Sequence, residues 1–289
     1  MSLEGKVVLV TGAARGMGRE YVRSLIKDGA KVIATDVSWA PSGVSNDDID
    51  FMHEIKDNPN VLALTMDITL DSHVKAAYRA AMDRFGTVDV IINNGGIRQR
   101  DLYPPHGLVT ILETEVSEWQ KMFDTHVFGT LRVIKTFVQP MLEQKRGAIV
   151  QVCSGGFQSN GSSREGSYQP AKAAEMVMAL YLANELKASN IAVNILQPGG
   201  TASTGTEEQD AGRREIRARL GGAPVTTPSR RWRPEHVVPL AMHLAEQDAS
   251  GTTGEIFNAP RWNQEQELGG FETWGYGPDV EAHRAAGTL

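Results

Sequence analysis

Short apolar runs alternate along this chain with longer stretches whose apolar residues recur at helical spacing. The runs are Lys6–Val10, Lys31–Thr35, Val61–Thr65, Val88–Ile92, Ala148–Val152 and Ile191–Ile195. Each is β-branched and almost wholly apolar, the pattern of strands covered on both faces. Between them lie Met17–Lys27, Leu70–Phe85, the long amphipathic stretch Trp119–Glu143, and Tyr168–Lys187, rich in Ala, Met and Leu. Strand and helix in strict alternation predict an α/β fold, a doubly wound parallel sheet of about seven strands with helices on both faces. Glu255–Asn258 supplies a last short strand. Pro260–Leu289 follows, carrying Trp262, Phe271, Trp274 and Tyr276 among glycines without a clear period. The expected organisation is one domain over 1–259 and a tail, 260–289, that packs onto it.

Composition narrows the function. With 41% hydrophobic and 22% charged residues over 289 positions, the chain can bury a full core and is not disordered. A formal net charge of −6 gives no electrostatic reason to expect nucleic acid or an anionic membrane as partner. No apolar run reaches the roughly 18 residues of a membrane span. The first residues lack the basic and apolar regions of a signal peptide. Cys153 is the single cysteine, which forbids an intrachain disulfide and fits a reducing, cytoplasmic setting. The histidines form no metal constellation. His236 and His243 read as helix-surface or packing residues.

The chemistry starts directly after the first run, at Thr11-Gly12-Ala13-Ala14-Arg15-Gly16-Met17-Gly18. Glycines between a strand and a helix let the backbone approach a diphosphate, which the helix N-terminus attracts with free N–H groups and its dipole. Asp36 ends the second run, about twenty residues beyond the glycines, where an acid accepts hydrogen bonds from an adenosine ribose and repels a 2′-phosphate. That favours NAD over NADP. Asp36 also reads as a helix cap, and Arg15 is a cation that could pair with a 2′-phosphate instead.

Taken in order, these residues resemble the short-chain dehydrogenase/reductase family in its shorter, single-domain branch, over residues 5 to 259. Gly12, Gly16 and Gly18 match its glycine turn. Asp67-Ile68 resembles its adenine contact, and Asn93-Asn94-Gly95-Gly96 its Asn-Asn-Ala-Gly. Tyr168-Gln169-Pro170-Ala171-Lys172 matches Tyr-x-x-x-Lys, with Ser154 upstream. Asn194-Ile195-Leu196-Gln197-Pro198-Gly199 resembles the stretch that lies against the nicotinamide. The resemblance implies a Rossmann-type fold and a dinucleotide held by Gly12, Arg15, Gly16, Met17, Gly18, Asp36, Asp67, Ile68, Asn94, Gly95, Tyr168, Lys172, Pro198, Gly199 and Thr201. It also implies a homodimer or homotetramer built on the long helices, and a mobile lid over 201–233 with a charged helix, Glu207–Leu220.

The reaction follows from the side chains. Tyr168 and Lys172 share a helix face at i, i+4. Tyrosine titrates near ~10, too high for a base at neutral pH, and a neighbouring ammonium stabilises its phenolate. Tyr168 can then take a proton from an alcohol as hydride leaves, or return it to a carbonyl oxygen. Ser154 would hold the same oxygen. Expected is NAD-linked interconversion of a secondary alcohol and a ketone, the substrate bulky and uncharged, cyclic or aromatic. An NADPH-dependent reductase, a non-catalytic dinucleotide sensor and a sugar-nucleotide epimerase are the alternatives. The sensor fits poorly with an intact Ser154, Tyr168 and Lys172, and the epimerase with so short a tail.

Two features depart from the family pattern. His126 stands where the family has an asparagine that supports a proton relay to the lysine; it either takes over that relay or is a buried structural histidine. Ser154 lies fourteen residues before Tyr168, one more than the family's spacing, with an extra residue absorbed in the loop that holds Ser159, Ser162 and Ser163. Three segments should border the substrate: Ile97–Val116 with Arg98, Arg100, Tyr103, Pro104, Pro105 and His106; the lid; and the tail, whose aromatics either line the pocket or cover an interface.

Overall fold

Every apolar run becomes a strand of one sheet, with ends displaced by no more than two residues. The structure, a computed structural model, describes residues 2–43, 47–104, 108–156, 165–204, 206–219, 221 and 230–289. The strands are β1 Val7–Thr11, β2 Lys31–Asp36, β3 Val61–Thr65, β4 Val90–Asn93, β5 Gly147–Val152, β6 Ile191–Gln197 and β7 Ile256–Asn258. All pair in parallel, in the order β3-β2-β1-β4-β5-β6-β7. The chain winds outward from β1 in one direction and from β4 in the other. A crevice therefore opens between β1 and β4 at their carboxyl ends, where open α/β sheets bind ligands.

Alternation along β1 explains the two layers. Val8 and Val10 face one side, with Tyr21, Val22 and Leu25 of α1 (Gly16–Lys27), Phe51 of α2 (Phe51–Ile55) and Leu240 and Leu244 of a later helix. Val7 and Leu9 face the other, with Val74 and Ala77 of α3 (Asp71–Phe85). A short α4 (Gln99–Leu102) follows β4.

The expected long helix over Trp119–Glu143 is not one regular helix. It is a helical rod made of α5 (Val116–Phe123), a π-helical turn Asp124–Gly129, α6 (Thr130–Phe137) and α7 (Gln139–Gln144). π turns cost hydrogen-bond geometry and cluster at functional positions; this one carries His126. α8 (Tyr168–Leu186) packs beside it, followed by α9 (Thr206–Arg219) and α10 (Val238–Ala245).

The tail corrects the sequence reading, because it is helical: α11 (Ala259–Glu265), α12 (Phe271–Trp274) and α13 (Gly277–Ala285). These helices are too short to show a period. Local signals start two of them: Asn258 caps the Arg261 N–H at 3.1 Å, and prolines sit in the first turns of α11 and α13. Among the described residues no helix is long and apolar enough to cross a membrane.

Candidate active site

The glycine turn lies at the crevice and is built by close backbone approach. Gly12 and Gly16 have φ of +65° and +49°, in the left-handed region that favours glycine. A Cβ at Gly18 would lie 1.9 Å from the Gly12 carbonyl oxygen, and one at Gly12 would lie 2.8 Å from the Gly95 Cα. Asn94 braces the turn by donating its amide to the Thr11 and Gly12 carbonyls at 3.1 and 3.0 Å. The Thr11 hydroxyl accepts the Asn94 and Gly95 N–H groups at 3.0 and 2.9 Å. No side chain caps the N-terminus of α1 and no acid stands in its first turn, so its dipole faces the crevice uncompensated. Met17 packs into the core beneath the turn.

Asp36 closes the far side. Its oxygens accept the Ala14 N–H at 3.0 Å and the Ser38 N–H at 3.2 Å. Burial pushes its carboxyl above the usual range, against the pull of those N–H groups and of Arg15. The Arg15 guanidinium donates to the Ala40 carbonyl at 3.0 Å. Asp67 holds its own turn through Thr69, at 2.8 and 2.7 Å, and Ile68 is buried where a Gly129 Cβ would lie 2.8 Å from it. These residues suit a dinucleotide: a glycine cradle that a Cβ would fill, a helix N-terminus without a side-chain cap, and an acid at the end of β2.

Beyond β6, the Pro198 carbonyl accepts the Thr201 hydroxyl at 3.1 Å and lies 2.6 Å from His236 Nε2, while Gly199 takes φ +70°. His236 is thus a fully buried brace, and no surface residue. Its other nitrogen lies 2.6 Å from the Arg233 carbonyl, and burial holds its imidazole below the ordinary value. Asn263 of the tail donates to the His236 carbonyl at 2.7 Å, and Trp232 stacks on the ring.

Tyr168 opens α8, and Lys172 lies one turn on. The Lys172 ammonium donates to the Val152 carbonyl at 3.0 Å, which ties α8 to the end of β5 just before Ser154. The Ser154 hydroxyl oxygen accepts the Gly156 N–H at 3.1 Å, leaving its O–H to donate. Tyr168 departs from expectation. Burial pushes its phenol above the ordinary value and outweighs the opposing pull of Lys172 and then Arg98, while Glu165 and Glu175 add to the rise. Cys153 is buried, its thiol pushed up to about 12 by desolvation, so it is no reactive thiol.

Sequence reasoning missed Glu175, one turn beyond Lys172 and 0% exposed. Its Oε2 lies 2.7 Å from the Lys172 ammonium and 3.5 Å from His126 Nδ1. Its Oε1 accepts from Thr130 at 3.0 Å and Gln151 at 3.3 Å. His126 is buried too, with Nε2 2.7 Å from the Ile97 carbonyl and its ring edge-on to Tyr168 at 5.4 Å. A Cβ at Gly96 would sit 2.3 Å from this ring, so the second glycine of the Asn-Asn-Gly-Gly run makes room for the histidine. A three-residue spacing that reads as helix surface gave no sign of the carboxylate.

Around these groups, α9 packs against the residues that precede α8: Gln209 donates to Glu165 at 2.8 Å and Arg213 lies 3.7 Å from it. The charged helix expected over Glu207–Leu220 is thus α9, and its Leu220 end lies outside the described residues. The tail joins the same side. Gly275 bridges Trp232, which bridges Thr201, and Phe271 packs edge-on to Trp232 at 5.2 Å. Arg98 is the N-cap residue of α4, and the Tyr103 hydroxyl accepts the Glu115 N–H at 3.0 Å. Pro105, His106, Ser159, Ser162 and Ser163 lie outside the described residues.

A family model for short chain dehydrogenases matches residues 6–214. The chain belongs to the short-chain dehydrogenase family. It is an oxidoreductase, and membership implies a nicotinamide dinucleotide, NAD or NADP. It is 37% identical over 280 residues to the fluoren-9-ol dehydrogenase of Terrabacter sp. strain DBF63, covering 93% of this chain and 75% of that one. It is 29% identical to the 3-oxoacyl-[acyl-carrier-protein] reductase FabG of Vibrio cholerae, covering 89% and 97%. Among solved structures, gox2181 superposes with a TM-score of 0.74 at 25% identity, over 89% of this chain and 95% of the other.

Proposed function

We propose that this short-chain dehydrogenase interconverts a secondary alcohol and a ketone with NAD(H), using Tyr168 as acid and base. The observation that carries the reading is the hydrogen bond from Lys172 to the Val152 carbonyl, which ties the helix bearing Tyr168 and Lys172 to the carboxyl end of β5, two residues before Ser154. When bound, a nicotinamide ring supplies the hydride acceptor or donor. In oxidation Tyr168 takes the proton of the substrate hydroxyl; in reduction it gives that proton to the carbonyl oxygen. The Lys172 ammonium lowers the cost of the phenolate, and the free O–H of Ser154 orients the substrate oxygen. Pro198, Gly199 and Thr201 would hold the nicotinamide end of the cofactor, and Gly12, Gly16, Gly18, Asn94 and Gly95 its diphosphate.

Asp36 supports NAD. Its two oxygens are held by backbone N–H groups and keep lone pairs for ribose hydroxyls, while Arg15 is engaged at Ala40. Calorimetric titration of NADH against NADPH tests this: wild type should prefer NADH, and Asp36→Ala should narrow the gap by about tenfold or more, as loss of a charge-assisted hydrogen bond implies. Tighter NADPH binding in wild type would reverse the assignment.

A bulky, uncharged, cyclic or aromatic substrate is supported by the Terrabacter relative, named for fluoren-9-ol, and by the aromatic tail packed beside the lid. That packing favours the tail as a border of the substrate side, within the same functional unit as residues 1–259. Homo-oligomerisation through the rod and α8 is supported by their exposed apolar residues: Phe128, Leu131, Val177 and Tyr181 are 52%, 37%, 48% and 69% exposed. Val177→Glu with Tyr181→Glu should yield a monomer in light scattering; an unchanged mass would place the interface elsewhere. A cytoplasmic setting is consistent with the single buried thiol.

A further inference from the structure

Buried carboxylates need cations, and the arrangement around Glu175 is more elaborate than one ion pair. All four groups that meet it come from different places in the fold: Lys172 from its own helix, His126 from the π turn, Thr130 from α6 and Gln151 from β5. Oε1 takes the two neutral donors, and Oε2 faces the ammonium and the imidazole. Neither Glu175 nor His126 has a role in the reaction as proposed so far, yet both lie in the interior behind Lys172.

We infer that Glu175 is a positioning residue, holding the Lys172 ammonium in place and in its charged form behind Tyr168, with His126 backing the carboxylate. The inference rests on the proposed role of Lys172. The physical reason is desolvation. Burial favours a neutral lysine, and a carboxylate 2.7 Å away reverses that preference. The net direction agrees: burial pulls Lys172 down, but Glu175, then Tyr168 and Cys153, bring it above its ordinary value. Burial pushes Glu175 up, but Lys172 and then His126 hold it below its own. The other ionisable groups facing this cluster are Cys153 at the end of β5, Tyr168 on α8, and, toward Tyr168, Arg98 and Glu165.

The sign of the effect separates positioning from space filling. In wild type, Lys172 is raised, so its contribution to stability is present below the unfolded value near ~10.5 and is lost as pH rises through the folded one. In Glu175→Gln the carboxylate is gone and burial dominates. Lys172 then falls below its unfolded value, and neutral lysine makes the variant gain stability as pH rises. The gap in Tm between wild type and Glu175→Gln should therefore narrow from about pH 7 to about pH 10, and Glu175→Asp should behave as wild type. NADH affinity and alcohol oxidation by Glu175→Gln should acquire an alkaline limb, losing about tenfold for each pH unit above the new Lys172 value. A gap constant with pH, with parallel pH profiles, would overturn the inference. If Glu175→Gln does not fold near neutral pH, the double variant Lys172→Met, Glu175→Gln decides: more stable than the single variant supports the inference, and equally unstable overturns it. Absence of NADH binding by wild type at any pH would defeat the dinucleotide reading, while the Tm comparison still judges Glu175.

Discussion

Tyr168→Phe is expected to lower kcat for alcohol oxidation and ketone reduction by about 10²–10⁴-fold, the range for removing a general acid or base. The aromatic ring is retained, so its edge-on contact with His126 at 5.4 Å survives. The lost hydroxyl makes no hydrogen bond to any described residue, so Tm should hold or rise slightly. NADH affinity should stay within about threefold, since glycine turn and Asp36 are untouched. Steady-state kinetics together with a fluorescence titration check both halves. Activity within about tenfold of wild type would remove Tyr168 from the chemistry. Because burial pushes the phenol up, the oxidation rate of wild type should climb with pH well past neutrality, the proton acceptor being the phenolate.

Lys172→Met should damage both catalysis and folding. Methionine fills the space of the lysine stem, but the Glu175 carboxylate, 0% exposed, loses the ammonium 2.7 Å away. Breaking a buried pair by removing one partner typically costs about 3–5 kcal/mol. The donors on Oε1, Thr130 and Gln151, are neutral and do not replace the charge. Chemical denaturation should thus give a much lower midpoint for Lys172→Met, with part of the loss recovered in the double variant with Glu175→Gln, where no buried charge is left alone. Activity should be lost in both. Equal midpoints for Lys172→Met and wild type would mean that the carboxylate does not depend on the lysine.

Much of this was legible in one dimension for a simple reason. Strands covered on both faces must be apolar at every position, so β1, β2, β4, β5 and β6 announce themselves within two residues of their ends. A glycine turn between strand and helix leaves a pattern because only glycine tolerates the approach between Gly18 and the Gly12 carbonyl. Tyr168 and Lys172 are four apart on one helix, and a helix face is a sequence property. The π turn inside the predicted long helix left no such mark, since no residue type or spacing announces a π turn as a glycine run announces a tight turn. The tail helices were hidden by their length.

What the chain order determined by itself is therefore the parallel sheet, its family, and the glycine turn, with Ser154, Tyr168 and Lys172 as candidates for the chemistry. Local spacing and backbone sterics suffice for each of these. The tertiary structure alone decided that Glu175 stands behind Lys172, that His126 enters the same cluster through the space left by Gly96, and that His236 braces Pro198 beneath the tail. It also decided the direction in which Tyr168 shifts. These are questions of burial and of contacts between residues far apart in the chain, where desolvation sets the sign, and no window of sequence contains them.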